Sequence, residues 1–244
     1  MHVPEQGFTL RFGGTVAKAD GAYQNEDSYT ASPRRGIYAM SDGASVSFNS
    51  ALWARMLVRR FARRPMVNPE WVCEAADEFA HMHNRDAMSW NQQASFDKGS
   101  FASLLGLRRI RKPDQVQVFA VGDTIAALCD GDKVITSFPY QSADQFDESP
   151  QLISTRPSLN NFVTDTNFYA DHTAIWNLSD YNEPAVLCVT DALGKWLLSR
   201  QAGEASRIAL LKSIRNRYQL TTFVRREREA RRMRRDDTTL LVLW

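Results

Sequence analysis

Three short apolar segments of this chain each run directly into an aspartate. The segments are IYAMSD, VFAVGD and VLCVTD, and they end at Asp42, Asp123 and Asp191. Each has the length and the residue types of a buried strand. A fourth aspartate, Asp236, comes just before the apolar C-terminal run TLLVLW. The pattern predicts a sheet whose strand ends hold carboxylates in fixed positions at one edge.

Carboxylates gathered at one edge need positive charge between them. Two of them ~4 Å apart repel by roughly 4 kcal/mol at an effective dielectric constant of ~20. Oxygen ligands without nearby histidine or cysteine favour magnesium, manganese or calcium over zinc or copper. Taken singly, Asp42 and Asp123 are more simply explained as turn residues. The repetition, together with the adjacent Glu26 and Asp27 in an earlier loop, favours a metal site.

Signals for helices and strands come in blocks rather than in one-for-one alternation, which predicts an α+β fold. Apolar spacing predicts helices over 50–61, over 69–82 and over 204–220. Strands are predicted at residues 8–12, 36–40, 103–110, 116–121, 125–129, 133–138, 185–190 and 239–244. The four strands between 103 and 138 suggest an antiparallel meander.

We expect residues 1–244 to form a single domain, because the sequence has no internal repeat and no low-complexity linker. Residues 139–182 are polar and rich in turn formers, which predicts a long loop or a small irregular subdomain.

Composition and charge exclude several classes of protein. Hydrophobic residues make up 43% and charged residues 24% of the chain, which is typical of a folded globular protein. Thirty Lys and Arg against 28 Asp and Glu give a net charge of +2, too little to indicate a nucleic-acid surface. No apolar run approaches the ~18 residues of a membrane helix, and the N-terminus does not resemble a signal peptide. We therefore expect a cytoplasmic protein without membrane or nucleic-acid partners.

Six short motifs, taken in order, resemble those of the metal-dependent protein phosphatases of type 2C. They are NEDSY (25–29), SDGAS (41–45), GSFASLLGL (99–107), AVGDT (120–124), VTDALGKWLL (189–198) and DDTTLLVL (236–243). Each motif alone is weak, and the order and spacing carry the resemblance. It implies a four-layer αββα sandwich of two antiparallel sheets flanked by helices. It also implies hydrolysis of phosphoserine and phosphothreonine in proteins, opposing a serine/threonine kinase.

The resemblance implies a site for two Mn²⁺ or Mg²⁺ ions, with a third and weaker ion in many relatives. The residues that match the family's metal ligands are Glu26, Asp42, Gly43, Asp123, Asp191 and Asp236. Asp42 would bridge the two ions, and Asp27 would act through a water molecule. Two such ions lower the pKa of a water and neutralise the phosphate, so that in-line attack needs no covalent phosphoenzyme. The candidate catalytic residues are therefore Asp42, Asp191 and Asp236.

Three alanines depart from the family's pattern. Ala22 stands where relatives usually carry an arginine that clamps the phosphate, and Ala44 where animal relatives carry a histidine proposed as general acid. Ala192 replaces the glycine that commonly follows the third aspartate. Because all the carboxylates remain, the pattern favours an active, divergent bacterial branch. The alternative is a weak or inactive module that docks a kinase or a phosphoprotein.

The segment RREREARRMRR (225–235) carries seven arginines directly before Asp236. One interpretation is a solvated helix face with Glu and Arg at helical spacing. The other is phosphate capture, in which one of these arginines replaces the clamp missing at Ala22. No aromatic residue is interleaved with the arginines, so that the segment does not favour nucleic acid. The expected partner is a phosphorylated protein, either a serine/threonine kinase or its target.

Overall fold

The computed structural model describes residues 8–19, 25–110, 114–199 and 204–244. Its strands are β1 (Leu10–Val16), β2 (Ser28–Ser32), β3 (Ile37–Ser41), β4 (Phe101–Ala102), β5 (Leu104–Arg109), β6 (Gln115–Val121), β7 (Ile125–Asp130), β8 (Lys133–Phe138), β9 (Ile153–Ser154), β10 (Thr173–Asn177), β11 (Pro184–Val189) and β12 (Thr238–Leu243). Its helices are α1 (Ser50–Arg63), α2 (Pro69–His81), α3 (Trp90–Lys98), α4 (Phe168–Asp171), α5 (Asp191–Leu198), α6 (Glu204–Ser213) and α7 (Arg217–Glu229).

Two five-stranded antiparallel sheets form the centre of the molecule. The first has the strand order β1-β12-β11-β7-β8, and the second has the order β10-β6-β5-β3-β2. One hydrophobic cluster fills the space between the sheets. A second packs α5, α6 and α7 on the outer face of the first sheet, and a third packs α1 and α2 on the outer face of the second. The four-layer α+β sandwich predicted from the sequence is confirmed.

Burial on both faces explains why the central strands are apolar along their whole length. In β3, Tyr38 and Met40 pack between the sheets, whereas Ile37 and Ala39 pack against the helices on the other side. Such strands read as continuous apolar runs instead of alternating ones. Strands packed on both faces hold the residues that directly follow them in fixed positions.

The predicted meander between 103 and 138 is wrong, because its strands belong to different sheets. β5 pairs with β6 in the second sheet, and β7 pairs with β8 in the first. The chain crosses between the sheets at residues 122–124, where Gly122 has φ of +97°. A short turn between two apolar strands resembles a hairpin in sequence. The crossing places Asp123 at the junction of the two sheets.

Two further segments differ from their sequence-based interpretation. Within 139–182, β10 pairs with β6 and forms an edge of the second sheet. The helix expected over 204–220 is two helices, because α6 ends at Ser213 and α7 begins at Arg217. Asn216 caps α7 by accepting a hydrogen bond from the backbone N–H of Gln219, at 3.0 Å. In the described part of the chain, no helix is long and apolar enough to cross a membrane.

Glu227 fastens the end of α7 to α5 and to the arginine-rich segment that follows. Its carboxylate accepts hydrogen bonds from Trp196 Nε1 at 3.0 Å and from Arg232 Nε at 2.6 Å. The residue is buried, with 3% of its surface exposed. The hydrogen bonds from Arg232, more than any other influence, lower the pKa of Glu227 from its ordinary value of 4.5 to about 2.

We predict that Glu227→Gln lowers the free energy of unfolding at pH 7 by about 1–2 kcal/mol, because Trp196 and Arg232 lose a charged acceptor. Since the pKa of Glu227 is depressed in the fold, its contribution is present above about pH 4.5 and is lost as the pH falls through about 2. Urea unfolding from pH 7 to pH 3 should show the difference from wild type shrinking. Glu229→Gln, at an exposed position of the same helix, is the control. A difference that stays constant with pH would contradict the prediction.

Candidate functional site

The strand ends that carry the predicted aspartates converge at one end of the sandwich. In the second sheet, Asp27 precedes β2 and Asp42 follows β3, and these strands pair with residue 28 opposite residue 41. In the first sheet, β11 ends where β7 and β12 begin. Asp123, Asp191 and Asp236 flank these ends, so that both sheets contribute carboxylates to one cluster.

Asp27 connects the two sheets. Its Oδ2 accepts hydrogen bonds from Thr190 Oγ1 at 3.0 Å and from Thr239 Oγ1 at 2.6 Å, both on the first sheet's side. Its Oδ1 is buried and has no hydrogen-bond partner among the described residues. Burial raises the pKa of Asp27 to about 7, although the two threonine hydroxyls oppose the shift. Asp27 therefore holds a desolvated carboxylate with one oxygen still to be satisfied.

Asp42 is fixed through its backbone, and its carboxylate faces other acids. Its N–H donates to Ser103 Oγ at 3.0 Å, and its carbonyl accepts from the N–H of Ser103 at 2.9 Å. Burial raises the pKa of Asp42 well above its usual range. The charged groups that affect this pKa most are all acidic and raise it further; they are Asp27, Asp123, Asp236 and Asp237.

Ser103 also fixes the loop that carries Asp123. Its hydroxyl is hydrogen-bonded to Thr124 Oγ1 at 2.6 Å, so that one buried serine positions the loops of both Asp42 and Asp123. Burial raises the pKa of Asp123, whereas the nearby guanidinium of Arg234 lowers it.

Glu26 and Gly43 lie together beside the start of α1. The N–H of Gly43 donates to the carbonyl of Glu26 at 3.2 Å, and a Cβ on Gly43 would lie 2.7 Å from the carbonyl oxygen of Ser50. A side chain larger than hydrogen does not fit there. The carboxylate of Glu26 accepts hydrogen bonds from Lys18 Nζ at 2.8 Å and from the hydroxyls of Ser45 and Ser50, both at 2.6 Å.

Arg234 stands between Asp191 and Asp236. Its Nη2 forms an ion pair with Asp191 Oδ2 and lies 3.6 Å from Asp236 Oδ2. Asp191 is the first residue of α5 and is only 6% exposed, whereas the Arg234 side chain is 45% exposed. The arginine-rich segment therefore reaches the cluster, and its cation faces both the carboxylates and solvent.

Asp237 is a buried member of the cluster that the sequence interpretation missed. Its Oδ1 accepts from the N–H of Lys18 at 2.6 Å, and its Oδ2 accepts from the N–H of Glu26 at 2.7 Å. It thereby fastens both ends of residues 18–26. Ala22 lies between them, within 20–24, which is outside the described residues. The Asp236-Asp237 pair is the signal that was available in the sequence.

The structure thus brings together all the carboxylates that were predicted as site residues, and their roles as ligands stay a prediction. In the described ranges, no three acidic, histidine or cysteine side chains surround a common point as metal ligands do. The ion pairs of Lys18 with Glu26 and of Arg234 with Asp191 hold two of the carboxylates in other contacts.

Comparisons with known proteins establish the fold. No protein-family model matches the chain, and no curated protein matches it in sequence. The photosystem II phosphatase PBCP has 14% identity and a TM-score of 0.59, with 97% of this chain and 98% of that chain covered. The catalytic domain of the serine/threonine phosphatase PstP, in complex with two manganese ions, has 13% identity and a TM-score of 0.58 at the same coverage.

PppA, a regulatory component of T6SS in Pseudomonas aeruginosa, also has 13% identity and a TM-score of 0.58, with 97% and 98% covered. At such identities the likeness concerns the fold alone. The chain has the fold of the type 2C serine/threonine phosphatases, as the resemblance of its motifs implied.

We predict that Arg234→Gln lowers the free energy of unfolding by about 1 kcal/mol in the presence of a chelator. The reason is that buried Asp191 loses its cation, while the exposure of Arg234 limits the effect. Asp191→Asn should remove most of this cost, so that the double-mutant cycle gives a positive coupling energy. Arg235→Gln, at the next exposed position, is the control. Additive effects of the two substitutions would show that the ion pair does not stabilise the fold.

Proposed function

We propose that this protein is a metal-dependent phosphatase that hydrolyses phosphoserine and phosphothreonine in proteins, with water as the attacking group. The observation that carries the proposal is the cluster of acidic side chains at one end of a phosphatase fold. Asp42 lies among four other carboxylates there, and the ion pairs of Lys18 and Arg234 are made to other members of the cluster. The two ion pairs therefore leave negative charge in the cluster that further cations would neutralise.

The donor set fits hard divalent cations. Every candidate ligand offers oxygen, burial raises the pKa of both Asp42 and Asp123, and Asp27 Oδ1 is buried without a partner among the described residues. We propose that two Mn²⁺ or Mg²⁺ ions, with a third at lower affinity, are held by Glu26, Asp42, Gly43, Asp123, Asp191 and Asp236. When bound, such ions lower the pKa of a water and neutralise phosphate charge.

The protein's own residues would position the candidate ligands and the phosphate. Ser103 fixes the backbone of Asp42 and the loop of Asp123, and Thr190 and Thr239 hold Asp27. Arg234 is the residue we propose for the phosphate. Its guanidinium has five N–H donors, and a planar pair of them matches two phosphate oxygens. It would replace the phosphate-binding arginine that relatives usually carry at the position of Ala22.

The second candidate function is a docking module that binds a kinase or phosphoprotein without turnover. The ion pairs that Lys18 and Arg234 already make with Glu26 and Asp191 favour it, because divalent ions must replace these contacts before they bind there. In either case we expect the partner to be a phosphorylated protein of a bacterial, cytoplasmic signalling system, either a serine/threonine kinase or its target.

We predict that the protein releases phosphate from a phosphothreonine peptide with Mn²⁺ or Mg²⁺ and not with chelator. Asp42→Asn and Asp191→Asn should each lower kcat/KM by more than ~100-fold, since even residues that only support metal ligands cost ~10–100-fold when changed. Asp77→Asn, at an exposed position of α2, is the matched control.

Titration calorimetry with Mn²⁺ separates the two candidate functions. Mn²⁺ binding that both site variants weaken, without phosphate release from the folded wild type, would favour the docking module. Full activity in both site variants would refute the proposed mechanism.

A further inference from the structure

An open groove of about 1470 Å³ lies next to the carboxylate cluster, between α5, α7 and the end of β1. In the described part of the chain, nineteen residues line it, of which nine are Lys or Arg and one is acidic. Small-molecule pockets usually measure ~300–1,000 Å³, so that this groove has room for a longer ligand. Its charge calls for an anionic one.

Part of this basic lining serves the fold. Arg228 donates to the carbonyl of Ala17 at 2.9 Å and to Thr238 Oγ1 at 3.0 Å, and Arg232 pairs with Glu227. These cations connect α7 to the strand ends and to the buried acid beneath them. They are compensated by the protein itself.

Three other arginines of the groove make no such contacts within the described part of the protein. Arg217, Arg231 and Arg235 are exposed, and their side chains form no hydrogen bond or ion pair with the described residues. Arg231 has φ of +56°, at a helix end where glycine is the usual residue. Arginines that line one groove, and that pair with no acid among the described residues, form a surface for an external anion.

The groove is continuous with the candidate active site. Lys18 and Arg234 line the groove, and the same two side chains form the ion pairs with Glu26 and Asp191. When a substrate chain places its phosphorylated residue at the cluster, the residues that flank it can therefore lie along the arginines of the groove. An extended chain advances ~3.3 Å per residue, so several residues follow the length of α7.

We propose that this groove binds acidic side chains that flank the phosphorylated residue of a protein substrate, an inference that rests on the proposed phosphatase function. Nucleic acid is the less suitable anion, because single strands bind by stacking on exposed aromatic side chains. Trp196 is the one aromatic residue among the described lining residues, and it is 5% exposed, with its ring 5.0 Å from that of Phe223. The groove's described residues therefore offer charge without a stacking surface.

The test compares two variants that lose the same charge. The groove variant is Arg217→Gln/Arg231→Asn/Arg235→Gln, in which asparagine suits the positive φ at 231. The control variant is Arg34→Gln/Arg55→Gln/Arg59→Gln, at exposed positions on or near α1, on the other face of the sandwich. Circular dichroism and urea unfolding establish that both are folded. The single substitutions Arg217→Gln and Arg235→Gln serve if the triple variant does not fold.

The first measurement is fluorescence anisotropy with a labelled, unphosphorylated acidic peptide at low salt. Wild type and control variant should bind it about tenfold more tightly than the groove variant, from three modest ion pairs. The difference should fall at high salt, where the Debye length shortens to ~3 Å. Equal affinity of the groove and control variants would overturn the proposal. So would tighter, groove-dependent binding of a single-stranded oligonucleotide of equal charge.

The second measurement is kcat/KM for two phosphothreonine peptides, one with acidic and one with neutral flanking residues. The preference of wild type for the acidic peptide should fall about tenfold in the groove variant, mainly through KM, and stay in the control. Groove-dependent peptide binding without any phosphate release would refute the proposed phosphatase activity. It would still support the groove as a binding site for acidic side chains. Phosphate release with the same preference in both variants would refute the groove and leave the phosphatase.

Discussion

Repulsion among buried carboxylates is the constraint on which the organisation of this molecule depends. Acids from both sheets meet at one end of the sandwich, and burial makes Asp27, Asp42 and Asp123 costly to ionise. The fold contributes two partial remedies. Buried hydroxyls of Thr190 and Thr239 donate to Asp27, and two long cationic side chains reach in from the surface. The cluster persists because two rigid sheets fix its backbone and leave the carboxylates no way to separate.

The β6–β7 crossing is what makes this geometry possible. If residues 103–138 had formed a meander in one sheet, Asp123 would have been a hairpin residue at a sheet's edge. Because Gly122 turns the chain from one sheet into the other, Asp123 instead lies where both sheets end. A Cβ on Gly122 would lie 2.6 Å from the Cβ of Ser103, the residue that also fixes Asp42. The crossing and the site therefore depend on the same close contact.

The parts of the site that were readable from the sequence are those set by local pattern. Asp42, Asp123 and Asp191 each follow an apolar run, and a carboxylate at such a position is visible without a structure. The contact between Lys18 and Asp237 was not readable, because it joins residues 219 positions apart and uses a backbone N–H, which every residue but proline has. Strand β10 was missed for another reason. Its short sequence TAIWN lies in a turn-rich segment, and only its pairing with β6 makes it a strand.

The arginine-rich segment offsets the repulsion that the acidic cluster exerts on an approaching anion. A phosphate group is an anion, and a cluster of carboxylates repels it over the distance that solvent leaves unscreened, ~8–10 Å at physiological salt. The nine cations that line the groove in the described part of the chain adjoin the cluster, and Arg234 contacts the cluster itself. An anionic chain that approaches along the groove meets positive charge first. Composition alone hides this arrangement, because a net charge of +2 averages an acidic centre with the basic wall beside it. In the proposed function, the separation of the two signs, more than their sum, would allow a phosphorylated chain to reach an acidic site.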